Sequence, residues 1–186
     1  MTQGIAKESS NLLEVQSTTL MDHSNYYPPL RNSVELWRLV SAIFMHVNLL
    51  HFLGNILSTF FLVSRIEYTL GFPKALCIYL LSGISGNIFS DAINKGAFLS
   101  AGASTALFGM IGVILGYIIL NWNGVDLLGP VIKCQLYCSA MTMFFFVLIF
   151  TPSSVNSNID WYGHLGGFLG GLWLTAIHQT IISNTF

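Results

Sequence analysis

Ser104 lies in Gly102-Ala-Ser104-Thr-Ala-Leu-Phe-Gly109, a hydroxyl with small residues on both sides. At the start of a helix such a serine keeps its hydroxyl open, and its backbone N–H, free of intrahelical bonding, is available to an oxyanion. The plainer alternative is a serine that caps or packs a helix, because small residues are common at helix contacts in membranes. His164 opens the apolar stretch His164-Leu-Gly-Gly167-Phe-Leu-Gly-Gly171. An ionisable ring inside a membrane segment is rare and is read first as functional; the alternative is a histidine satisfied by a backbone carbonyl. A neutral imidazole can act as a general base, and serine with histidine makes an activated nucleophile. His51 and Asn55 stand four apart, on one helical face. Both can donate to an oxygen that gains negative charge, and losing one such donor typically costs about 3–4 kcal/mol of transition-state stabilisation. His46 and His51 raise a metal reading, but their spacing does not fit an i,i+4 pair and no acidic residue lies between them. No metal site and no cofactor is expected.

The elements that must position these groups follow from composition. The chain has 186 residues, of which 53% are hydrophobic and 8% charged, against about 25% charged in an average soluble domain. Its solvent is therefore lipid. Charges crowd the first 38 residues and then leave five runs free of Asp, Glu, Lys and Arg, at 39–64, 75–90, 96–125, 134–159 and 161–186. A helix needs about 20 apolar residues to cross a bilayer, so the runs predict five spans, at about 40–64, 72–92, 102–121, 132–150 and 161–182. Residues 1–25 read as a polar tail and 26–182 as one all-α membrane domain, with 26–40 as a loop. Tight connections are expected at 65–74, 91–96 and 121–130, and a polar loop at 151–160. The net charge of −1 leaves no basic stripe, so nucleic acid is excluded as a partner. Cys77, Cys134 and Cys138 fit no disulfide framework or zinc pattern and read as packing residues. The first 20 residues hold no continuous apolar core, so no signal peptide is expected. Loop charges divide evenly between the two faces and do not orient the chain.

Parity says more. Alternating spans place the starts of the first, third and fifth on one face, which gathers His46, His51 and Asn55, Ser104, and His164 at similar depth. Gly163, Gly167 and Gly171 recur at four-residue spacing, as do Gly166 and Gly170, on neighbouring strips beside His164. Gly109, Gly112 and Gly116 in the third span answer them. Missing side chains let two backbones approach, which would bring the imidazole to the hydroxyl. Tight packing without catalysis explains the glycines equally well, but not the histidine.

These stretches, together with Glu35-Leu-Trp37-Arg38 and His46-Val-Asn-Leu-Leu-His51-Phe-Leu-Gly-Asn55, resemble the rhomboid intramembrane serine proteases, in family order over about residues 26–182. The resemblance implies a Ser104–His164 dyad without an acidic third member, and an oxyanion site from the Ser104 N–H with His51 and Asn55. It places Trp37 and Arg38 in a first loop that braces the protein at the membrane surface, with His46 in support, and Phe108 against the imidazole. Asp160 reads as a helix N-cap. The family has a six-helix core, and the residues before Trp37 hold no span, so the chain is expected to begin inside the first loop, with the core's first helix missing.

The reaction implied is hydrolysis of transmembrane segments that unwind locally, because an intact helix hides its carbonyls. The expected setting is a multi-pass membrane protein of the secretory pathway or cell surface. Two other classes compete. A catalytically silent rhomboid-like protein that binds membrane clients would usually lack the serine or the histidine. A channel or transporter subunit would carry polar residues through the whole bilayer depth and an internal repeat.

Overall fold

The computed structural model describes residues 25–26, 35–94, 99–121, 134, 137, 138, 141 and 160–183. The span expected at 132–150 and the loop at 151–159 therefore fall outside the described residues, apart from those four single positions, as do most of the tail and 27–34. The described elements in chain order are β1 (Asn25–Tyr26), α1 (Arg38–Phe44), α2 (Leu49–Leu70), α3 (Phe72–Asn94), β2 (Leu99–Ser100), α4 (Ser104–Leu120) and α5 (Trp161–Ser183). The two short strands pair antiparallel, Asn25 with Ser100 and Tyr26 with Leu99.

The expected first span, 40–64, is two helices. Asn48 interrupts it: its side-chain oxygen accepts from the His51 N–H at 2.8 Å and caps α2, satisfying one of the donors a helix start leaves open. His46 thus precedes the helix and does not belong to its opening turn. Beyond 64, α2 continues through the connection expected at 65–74, because nothing there breaks a helix until Gly71. Gly71, at φ 82°, is the single residue between α2 and α3, and that backbone state suits glycine. Pro73 is tolerated because it falls in the first turn of α3.

α4 is the centre of the bundle. Every residue from Thr105 to Ile114 is buried, and Leu107, Met110, Ile111, Val113, Ile114 and Ile118 form the apolar core with Leu62 and Ile66 of α2 and Ala75 of α3. The interior of α3 is otherwise small or polar, with Ser82, Gly83, Gly86, Asn87 and Ser90 buried while Leu81, Ile88 and Ile93 face outward. From Leu49 to Phe61, α2 shows the same inversion, exposing Phe52, Ile56, Phe60 and Phe61 and burying Gly54, Asn55 and Ser58, before Leu62 and Ile66 turn into the core. Large apolar side chains outside and small polar ones within suit a helix bundle in lipid.

Of the five spans expected, two described helices, α2 and α3, have both the length and the composition to cross a membrane. α4 is apolar but has 17 residues. α5 has 23 residues, and its hydropathy is lowered by His164, His178, Gln179 and the glycines of its first half.

Candidate active site

Ser104 is the first residue of α4, and the cap position belongs to Ala103, which has no side-chain cap bond. The first amides of α4 consequently have no intrahelical acceptor. Nor does the serine hydroxyl cap the helix. It lies 2.8 Å from His164 Nε2, on the first turn of α5. Phe108, one turn after Ser104 and on its face, stacks on the imidazole with ring centroids 4.4 Å apart and planes 16° apart. The Trp161 ring meets the imidazole edge-on at 6.0 Å. His164 is 5% exposed, and its Nδ1 has no hydrogen-bond partner among the described residues, so no backbone carbonyl among them satisfies the ring.

Glycines permit this contact. The Thr105 carbonyl occupies the space a Cβ on Gly167 would need, and the Gly109 carbonyl does the same at Gly171. The two glycine rows of α5 serve different neighbours. Gly163, Gly167 and Gly171 face α4, whereas Gly166 and Gly170 lie against Phe89 and Ser85 of α3.

The turn before Ser104 brings in α2. Gly102 has φ 142°, and a Cβ there would come within 2.7 Å of His51 Cε1, 3.1 Å of His51 Nε2 and 3.6 Å of Asn55 Nδ2. His51 and Asn55 therefore lie directly against the turn that carries the serine. Asn55 Nδ2 and His51 Nδ1 are buried without partners among the described residues. The His46 ring lies behind them, 5.2 Å from that of His51 at 68°. Its Nδ1–H donates to the Phe44 carbonyl at 3.2 Å, and burial holds its pKa below the usual histidine value. Among the described residues no three His, Cys, Asp or Glu side chains come together as a metal site would need.

Trp37 and Arg38 lie at the start of α1. The guanidinium of Arg38 lies 4.7 Å over the half-exposed Trp37 ring and pairs with Glu35. α1 reaches the site through its backbone: the Ala42 carbonyl accepts from Gly102 N–H at 2.9 Å, and the Leu39 carbonyl accepts from Asn87 Nδ2 of α3 at 2.8 Å.

Sequence reasoning passed over the polar face of α3. Ser85 Oγ donates to the Gly166 carbonyl at 2.8 Å and Ser90 Oγ to Asp160 Oδ1 at 2.7 Å. The signal was present in Ser82, Gly86 and Ser90, a row of small residues four apart. Asp160 does cap α5, accepting from Gly163 N–H at 2.8 Å.

A sequence model of the Rhomboid domain matches residues 33–180. RHOMBOID-like protein 1 of Arabidopsis thaliana is 34% identical over 140 residues, which cover 75% of this chain and 34% of that protein. Rhomboid-like protease 3 of Toxoplasma gondii is 32% identical over 175 residues, 94% of this chain and 64% of that protein. Rhomboid-like protease 2 of the same organism is 32% identical over 169 residues, 89% and 57% respectively. The chain thus spans between 34% and 64% of the length of these relatives. With a match that begins ahead of α1 and runs nearly to the end of α5, the chain belongs to the rhomboid family of membrane proteins.

Proposed function

We propose that this chain is a multi-pass intramembrane serine endopeptidase working through a Ser104–His164 dyad. The observation that carries the reading is the 2.8 Å approach of the buried His164 Nε2 to Ser104 Oγ. With the ring proton on Nδ1, the serine hydroxyl donates to Nε2, and the base is within reach of the proton it must take. Ser104 Oγ attacks the scissile carbonyl carbon while His164 accepts the hydroxyl proton. The carbonyl oxygen becomes the oxyanion, held by the Ser104 N–H and by donors from Asn55 and His51. Collapse expels the amine, which takes the proton from His164 and leaves an acyl-serine. Water, deprotonated by the same imidazole, then releases the acid and restores the serine. Phe108 and Trp161 hold the ring to one orientation.

The substrate is a transmembrane segment of another protein. Its scissile carbonyl must leave its helical hydrogen bond before attack, so segments that unwind locally are favoured. Two of this family's relatives carry protease in their names, which agrees with the reading.

Ser104→Ala is expected to abolish cleavage of a single-span substrate in proteoliposomes, and the wild type is expected to react with a fluorophosphonate at Ser104. Undiminished cleavage by Ser104→Ala would overturn the assignment. A wild type that binds membrane clients but does not label would make the chain a silent client-binding member instead.

A further inference from the structure

α5 meets α4 along a strip of glycines, and such a strip sets the distance between two helices better than their register. Side chains that interlock as ridges in grooves resist sliding; bare backbone offers little of this. Yet the Ser104–His164 pair needs both distance and register, because misplacing a reacting group by about 1 Å can cost about 10²-fold in rate.

Besides the Thr175–Val113 bond farther along α5 and the Ser85–Gly166 bond to α3, the N-terminus of α5 carries a restraint right beside His164. Asp160 Oδ1 accepts two hydrogen bonds, from the Gly163 N–H at 2.8 Å and from Ser90 Oγ of α3 at 2.7 Å. Ser90 is 1% exposed. Its oxygen accepts from Asn94 Nδ2 at 3.0 Å, which leaves the serine proton for the carboxylate. The Asp160 carbonyl in turn accepts from the His164 N–H at 3.0 Å. One residue thus holds the His164 amide, the first turn of α5 and the neighbouring helix together. The ordinary geometry of a helix start accounts for the Gly163 and His164 bonds; the bond from Ser90 crosses between elements and has no part in capping.

We propose that Asp160 and Ser90 are positioning residues that lock α5 in register on α3 and thereby hold the His164 imidazole on the Ser104 hydroxyl. The proposal rests on the reading of those two residues as base and nucleophile. Neither Asp160 nor Ser90 touches the reacting atoms; both act through the placement of α5.

The test uses the whole chain in proteoliposomes with Ser90→Ala, Asp160→Ala and Asp160→Asn. It reads kcat and KM on a single-span substrate, the folded fraction by circular dichroism, and the rate of fluorophosphonate labelling at Ser104 per folded molecule. Ser90→Ala and Asp160→Ala are expected to lower kcat and the labelling rate by about tenfold or more, with KM within about twofold. Asp160→Asn should recover most of the loss, since its amide oxygen can accept both bonds. If Asp160→Ala does not fold, Ser90→Ala decides. Alanine variants that label at the wild-type rate per folded molecule would overturn the proposal, as would an Asp160→Asn no better than Asp160→Ala. A wild type that does not label overturns the dyad and this proposal with it; a wild type that labels alongside undisturbed variants overturns this proposal alone.

Discussion

Asn55 carries a buried carboxamide nitrogen with no partner among the described residues, a condition that typically costs about 1–3 kcal/mol. Beside the proposed nucleophile, an open donor of this kind has a use: it would wait for charge that exists only during reaction. Asn55→Ala should therefore lower kcat by about 10²–10³-fold. KM should change little, because the bond strengthens only in the transition state, and thermal stability should not fall. Steady-state kinetics with a thermal melt check this; a loss confined to KM would move Asn55 from the oxyanion to substrate binding. Gly102 shows how little room the site leaves, since any side chain there would press on the His51 ring. The candidate groups Ser104, His164, His51 and Asn55 were legible from residue type because a chain this poor in charge offers few groups able to do chemistry. Ser90 was not legible in the same way. A serine on an apolar helix reads as packing until its partner, Asp160, is known, and that partner lies on another element.

At the scale of elements, the α4–α5 contact rests on backbone approach. Gly171→Leu would force a side chain into the Gly109 main chain, where overpacking typically costs about 1–3 kcal/mol. It should also withdraw His164 from Ser104, so activity should be lost along with stability. Thr175→Val makes the useful comparison. Thr175 Oγ1 lies 3.4 Å from the Val113 carbonyl, about 16 Å beyond His164 at ~1.5 Å per residue. Losing that interhelical bond should cost about 0.6 kcal/mol and leave kcat unchanged. Denaturant unfolding in detergent, paired with kinetics, separates the two; a fully active Gly171→Leu would show that close approach is dispensable. The helix starts were the least legible feature of the elements. Asn48 divides α1 from α2 inside an uninterrupted charge-free run, because a cap works through local hydrogen bonding and leaves no mark on hydropathy.

For the molecule as a whole, the inversion of polarity makes its own prediction. Phe60, 67% exposed in the middle of α2, faces outward with Phe61, Ile56 and Phe52. An arginine there would be nearly silent on a protein in water. In a bilayer it should cost about 2.5–3.5 kcal/mol of insertion free energy, read as a smaller inserted fraction of Phe60→Arg in a translocation assay; unchanged insertion would mean that α2 does not face lipid. By itself the sequence determined the solvent, the helical class, the family and the chemical groups on offer, because composition, charge-free length and local motifs are properties of a chain read along its length. The tertiary structure alone decided which groups meet. It put His164 on Ser104 rather than on a backbone carbonyl, sent the two glycine rows of α5 to different helices, and tied Asp160 to Ser90. Those choices depend on how closely two backbones approach and where one hydrogen bond lands between distant segments, and neither quantity is encoded in any single stretch of residues.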